Sequence, residues 1–206
     1  INTSNIFDIN RLGLDDTLEA GNSLTIGIDY SKQNIKKNNQ LLDFKLATVL
    51  RDKQDNNIPT LSSINEKNSN LFGSLDYKLS SIFNVDYNFA IDNKIDKFNY
   101  NSIGLDISLN NFITEFNFIE ENADIGNTNF FENSSTYNFN NQNSISFKTR
   151  RNRELNLTEY YNLVYEYKND CLTAGIRFNK TYYEDRDLKP TENLMFTISF
   201  YPITSV

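Results

Sequence analysis

Three groups of residues could do chemistry. Cys171 is the only thiol; Arg150, Arg151 and Arg153 set guanidinium groups side by side; Glu184, Asp185 and Asp187 gather carboxylates in one polar stretch. An odd cysteine in an exported chain points to a disulfide partner elsewhere, and its alternative is a free, inert thiol. The arginines could grip phosphate oxygens through bidentate forks or stand as a solvated loop. The carboxylates could hold a hard divalent cation or simply be exposed. With no His in the chain, Ser-His-Asp and Cys-His catalysis and His-based zinc sites are excluded, and a lone Cys excludes a thiolate cluster or an internal disulfide framework. We therefore expect neither an enzyme nor a cofactor. A formal charge of −7 argues against a nucleic-acid partner, which would meet a basic face.

The elements that carry these groups follow from the periodicity. Residues 82–93 alternate between Phe83, Val85, Tyr87, Phe89 and Ile91 on one row and Asn84, Asp86, Asn88, Ala90 and Asp92 on the other, as in a strand with one apolar and one wet face. Leu24, Ile26, Ile28 and Tyr30 oppose Thr25, Gly27, Asp29 and Ser31 in the same way, and Phe44, Leu46 and Leu50 oppose Asp43, Lys45 and Arg51. Near the end, Leu172, Ala174, Ile176 and Phe178 oppose Cys171, Thr173, Gly175, Arg177 and Asn179, and Leu194, Phe196, Ile198 and Phe200 oppose Met195, Thr197 and Ser199. No segment sustains a helical stripe, and no apolar run reaches the roughly eighteen residues of a membrane helix. About 34 asparagines, roughly one residue in six, are spread through these alternating stretches, which favours compositional drift over a prion-like tract.

The fold class expected is all-β, an antiparallel transmembrane β-barrel. The strands are read at 22–32, 41–52, 70–80, 82–93, 97–109, 112–120, 132–139, 144–151, 155–168, 171–182 and 193–201. Strands of about ten to twelve residues, rising about 3.3 Å each and tilted by about 40°, cover roughly the 25 Å apolar band of an outer-membrane barrel. Tight connections at 80–82, 109–112, 140–143 and 168–171, with a looser one at 33–40, share the periplasmic parity. The longer stretches 53–69, 93–97, 121–131, 152–154 and 183–192 share the outer one.

Arg or Lys at the lipid midplane of a barrel costs about 2–4 kcal/mol. The apolar rows carry no mid-strand charge; Glu159 and Lys180 are rim exceptions. Asp29, Asp43, Lys45, Asp86, Asp106, Glu115, Lys148, Glu166 and Arg177 lie on the opposite row, which is either a watery lumen or the wet face of a soluble sandwich. Eleven is odd for a single-chain barrel, so a further strand is expected before residue 22, at 4–12 or upstream. No basic-then-apolar leader opens the chain, and its start reads as a mature protein or an internal fragment.

Two stretches resemble the lipopolysaccharide-assembly outer-membrane protein family, the LptD family. One is Asn5-Ile-Phe-Asp-Ile-Asn-Arg-Leu-Gly-Leu-Asp-Asp-Thr-Leu-Glu-Ala-Gly21 with the strand after it; the other is Leu157-Thr-Glu-Tyr-Tyr-Asn-Leu-Val-Tyr-Glu-Tyr-Lys-Asn-Asp-Cys-Leu-Thr-Ala-Gly-Ile176, continuing to the last strand. The resemblance implies that residues 1–206 are the carboxyl-terminal portion of a large barrel domain in the bacterial outer membrane. Such a barrel accepts lipopolysaccharide from a periplasmic bridge protein through an amino-terminal jellyroll absent here, holds a plug lipoprotein in its lumen, and releases its cargo into the outer leaflet through a lateral gate. Leu194, Phe196, Ile198 and Phe200 would then line the last-strand side of the gate, facing outer-membrane lipid. Arg150, Arg151 and Arg153 would meet lipopolysaccharide at an outer loop, and Cys171 would bridge to the jellyroll. Many members carry two adjacent cysteines there, whereas Leu172 follows Cys171 here, which allows at most one bridge. Two other functions fit the residues: a passive porin or nutrient-receptor barrel, and a soluble adhesin-like β-sandwich.

Overall fold

The computed structural model describes residues 1–13, 19–34, 39–58, 60, 63–123, 126–182 and 189–200. Eleven strands follow one another: β1 (Ser23–Asn34), β2 (Asn39–Arg51), β3 (Leu71–Lys78), β4 (Phe83–Ile91), β5 (Phe98–Leu109), β6 (Phe112–Ala123), β7 (Gly126–Asn138), β8 (Asn143–Asn152), β9 (Leu157–Lys168), β10 (Leu172–Thr181) and β11 (Thr191–Phe200). They form one sheet in strict sequence order, from β1 to β11. The expected all-β antiparallel class is what the chain adopts, and nine to thirteen residues in most strands match the lengths read from the alternation.

Asparagine punctuates the short connections. Asn110 takes a positive φ of 47° in the two-residue turn after β5, a conformation its short polar side chain tolerates. In the turn after β7, Asn140 Oδ1 accepts the N–H groups of Gln142 and Asn143 at 2.9 and 2.8 Å. Asn169 Oδ1 does the same for Cys171 and Leu172 at 3.0 and 2.8 Å after β9. These side chains satisfy turn donors that no ladder reaches. The expected alternation of tight and long connections holds in part: 52–70 and 92–97 are longer than the turns at the opposite end, but 153–156 is as short as 79–82 and 139–142. β7 begins at Gly126, not 132, so the outer connection read at 121–131 shrinks to 124–125. The segment 126–131 is dominated by Asn, Thr and Gly, and its pairing is imposed by its neighbours, not by local preference.

A second correction concerns the start. Residues 3–12 form successive turns and no strand, because Asn2 Oδ1 and the Asn2, Asn5 and Asn10 carbonyls take up local N–H groups.

The chain divides into two compact units, one of Ile1–Ser80, Asn84–Ile103 and Ile119–Thr128, the other of Ser81–Phe83, Gly104–Phe118 and Asn129–Val206. In the first, Ile6, Ala47, Val49, Ile58, Ile64, Phe72 and Ala90 form a buried apolar cluster, with Tyr100 packed against it. In the second, the buried side chains among the described residues are the polar Thr114 and Asn133, at 3% and 9% exposure.

Candidate functional site: the polar face of the sheet

Register carries two faces across β1–β4. Gly27 pairs with Ala47 and Ala47 with Phe72, which pairs with Ala90; Asp43 pairs with Asp76 and Asp76 with Asp86. These residues share the face that the sequence marks as wet. The other face holds the apolar rows, and it stands bare: Leu24 and Ile28 are 59% and 61% exposed, Phe196 and Phe200 70% and 79%.

In the first unit the polar face is covered by the chain itself. The Thr3 hydroxyl donates to Ser74 Oγ at 2.9 Å, tying the opening turns to β3. A Cβ on Gly27 would come 2.6 Å from the Phe7 Cζ and 2.9 Å from the Leu46 carbonyl oxygen, and because the backbone atom cannot swing away, β1 favours glycine at this pleat. Arg11 donates to Thr25 Oγ1 at 2.8 Å, Ser23 Oγ at 3.1 Å and the Ile6 carbonyl at 3.2 Å, and forks onto both Glu19 oxygens. Arg51 meets Glu19 at 2.9 Å and Asp55 at 3.5 Å, and donates to the Ala20 carbonyl. Burial pushes the Glu19 carboxyl up, but hydrogen bonds and charge from Arg11 and Arg51 outweigh it and hold it below its usual value. The Ala20 and Asn57 N–H groups lower Asp55 similarly, with Arg51 adding to the effect. This cluster clamps residues 1–13 and the described residues of 52–70 over part of β1–β4, leaving Asp29 and Lys45 open to solvent.

In the second unit the polar face is open and ladder-like. Glu132 meets Lys148 at 2.8 Å. Across β9, β10 and β11 the Asn162 amide donates to Asn179 at 2.7 Å, and Asn179 to Asn193 at 3.1 Å. Such a face offers water-exchangeable donors and acceptors along its length.

The predicted site residues do not converge. Arg150 and Arg151 lie within β8 and not in an outer loop, and the pleat sends them to opposite faces. Arg150 Nε pairs with Glu159 at 2.9 Å and its guanidinium sits 4.0 Å over the Phe130 ring, while Arg151 donates to Asn156 at 2.5 Å. Arg153, in the turn, lies 5.4 Å from the Phe118 ring. The reading of a single basic loop cluster is therefore corrected: alternation disperses it. Glu159 sits at a β-bulge in the β8–β9 register and turns to Arg150. Lys180 pairs with Glu192 at 3.3 Å beside the next connection. Cys171 is a half-buried free thiol in the turn between β9 and β10. Leu194, Phe196, Ile198 and Phe200 form the exposed apolar row of β11. Glu184, Asp185 and Asp187 lie outside the described residues.

Sequence reading missed a polar knot on the apolar side. The Thr114 and Ser135 hydroxyls are 2.7 Å apart, and the Asn133 amide donates to Thr114 Oγ1 and the Glu115 carbonyl, both at 3.0 Å. The run Asn133-Ser134-Ser135, polar on both faces, was its visible signal.

No protein-family model matches the chain, and no curated protein matches it. Among solved structures, a triple mutant and a double mutant of the Rh. blastica porin are similar to it, each at 11% identity over 76% of this chain and 74% of that chain, with a TM-score of 0.41.

Proposed function

We propose that the chain is part of the wall of a β-barrel in a bacterial outer membrane, and that its polar face passes hydrophilic solutes by diffusion. The observation that carries this reading is the two-sidedness of long strands. In β11, Leu194, Phe196, Ile198 and Phe200 are 57–79% exposed on one face, while Asn193 and Thr197 on the other face hydrogen-bond to β10. Each such apolar side chain left in water forgoes about 1.5–3 kcal/mol of burial. A hydrocarbon environment recovers this, and water on the opposite face keeps Lys148, Glu132 and the asparagine ladder solvated. Sheet ends in lipid need hydrogen-bonded neighbours, so β1 and β11 would join each other or further strands. Full-length protein reconstituted in planar bilayers should give stepwise, ohmic conductance that does not depend on lipopolysaccharide. Release from membranes by high pH without detergent, with no conductance, would refute the reading.

A second reading, insertion of lipopolysaccharide into the outer leaflet with a plug lipoprotein and a periplasmic bridge protein as partners, is favoured by Cys171. A half-buried thiol at the short-turn end of the strands, with no second cysteine in the chain, suits a bridge to a periplasmic domain. Under this reading β11 supplies one side of a lateral gate. Mass spectrometry of the non-reduced full-length protein distinguishes the two: Cys171 disulfide-linked supports export, and Cys171 free in all molecules counts against it.

A further inference from the structure

We infer that a cavity of about 570 Å³ in the first unit is a binding site for a neutral saccharide. It deepens the proposed solute path by naming a substrate class, and rests on that reading only for its role in transport. Phe72 and Asn70 line the cavity, at 4% and 8% exposure. Asn88 and Tyr100 line it half-buried, and Lys97 and Glu121 line it as exposed residues.

Three features define the ligand. First, the Asn70 and Asn88 side-chain amides make no hydrogen bond among the described residues, although Asn70 is nearly buried; its backbone N–H is already held by Ser63 Oγ at 3.0 Å. No polar atom of either side chain is sealed from solvent, so both amides are open to a ligand in the cavity, and each carries a donor and an acceptor side by side. Vicinal hydroxyls on a sugar ring present the complementary pair. Second, the half-buried Tyr100 gives the cavity apolar surface of the kind that the C–H face of a pyranose covers, with its hydroxyl as a further polar group; the buried Phe72 only backs the floor. Third, Lys97 and Glu121 bring opposite charges, so the cavity has no net charge to select an ion, while both groups form strong hydrogen bonds to hydroxyls. A phosphate would meet Glu121, a divalent cation would meet Lys97, and a purely apolar molecule would leave the amides unpaired. Thr60, Ser63, Lys97, Glu121 and Asn122 place the cavity at the end of the strands where the long connections lie, so a sugar would be held before it entered the polar face.

Equilibrium dialysis of full-length protein in detergent with maltohexaose tests this directly. Saturable binding is expected, weakened about tenfold, or about 1.4 kcal/mol, by Asn88→Leu and by Tyr100→Ala, and unchanged by Asn111→Ala in the β5–β6 turn. Because Tyr100 packs on the buried cluster, Asn88→Asp is a milder second variant, and heat-modifiable gel mobility confirms that each variant is folded. Absence of saturable binding, or binding indifferent to both Asn88 variants in folded protein, overturns the inference. Binding in the absence of bilayer conductance would instead retain the site and refute the pore; conductance without binding would do the reverse.

Discussion

Along β2, β3 and β4 the polar-side positions include Ala47, Val49, Phe72 and Ala90, none more than 7% exposed. In β8 to β11 the polar side holds Lys148, Asn162, Asn179 and Asn193, and none of them is buried. Both regions are built on the same period-two alternation. What separates them is cover: residues 1–13 and the described residues of 52–70 fold back over part of the first region, so apolar side chains appear on both faces there, while Asp29 and Lys45 beyond the cover stay wet at 65% and 40% side-chain exposure. The strand pattern sets which residues share a face, and the loops decide whether that face meets protein or water.

The sharpest way to break this contrast is Glu19→Ala. It would leave the buried Arg11 without its carboxylate partner and Arg51 with Asp55 alone, and stranding a buried charge costs about 3–5 kcal/mol. Hydrogen exchange should report lost protection in residues 1–13 and β1, with β8–β11 unchanged. Ile64→Ala, which empties a site at 0% exposure, should cost about 2–5 kcal/mol in denaturant unfolding. Asn162→Ala in the open ladder should cost about 1 kcal/mol, since water replaces its partner.

Adjacent residues of one strand sharpen the comparison of faces. Phe196→Arg should lower folding stability in lipid by about 2–4 kcal/mol, and Met195→Arg by much less. The smallest effect is that of pH. Glu19 and Asp55 titrate below their ordinary values of 4.5 and 3.8, so their contribution is complete above those values and fades as pH falls through the lower folded ones. Protection of residues 1–13 should therefore hold from pH 7 to about 5 and decline below about 4, and Glu19→Gln should flatten that decline. The amide ladder of the second region has nothing to titrate and should stay constant.

The face assignment was legible because alternation is local. Val85 and Asn84 announce opposite sides within two residues. β7 was cut short because Asn127, Thr128 and Asn129 carry no strand preference of their own. The cover over β1–β4 was hidden for a different reason: Arg11, Glu19, Arg51 and Asp55 meet only after β1 and β2 have paired, and nothing local links them. One clue was present. Leu46-Ala47-Thr48-Val49-Leu50 is apolar on both faces, which a strand with one wet side cannot explain. The three arginines misled because closeness in sequence was read as closeness in space, where the β8 pleat sends Arg150 and Arg151 apart.

The central claim is that hydrocarbon touches one side of these strands and water the other. Spin labels at Val85→Cys and Asn84→Cys, placed singly in full-length Cys171→Ser protein in liposomes, test it most directly. Lipid-dissolved oxygen should relax the label at 85, and an aqueous nickel chelate the label at 84. Reversed accessibilities, or chelate access at both positions, would contradict it.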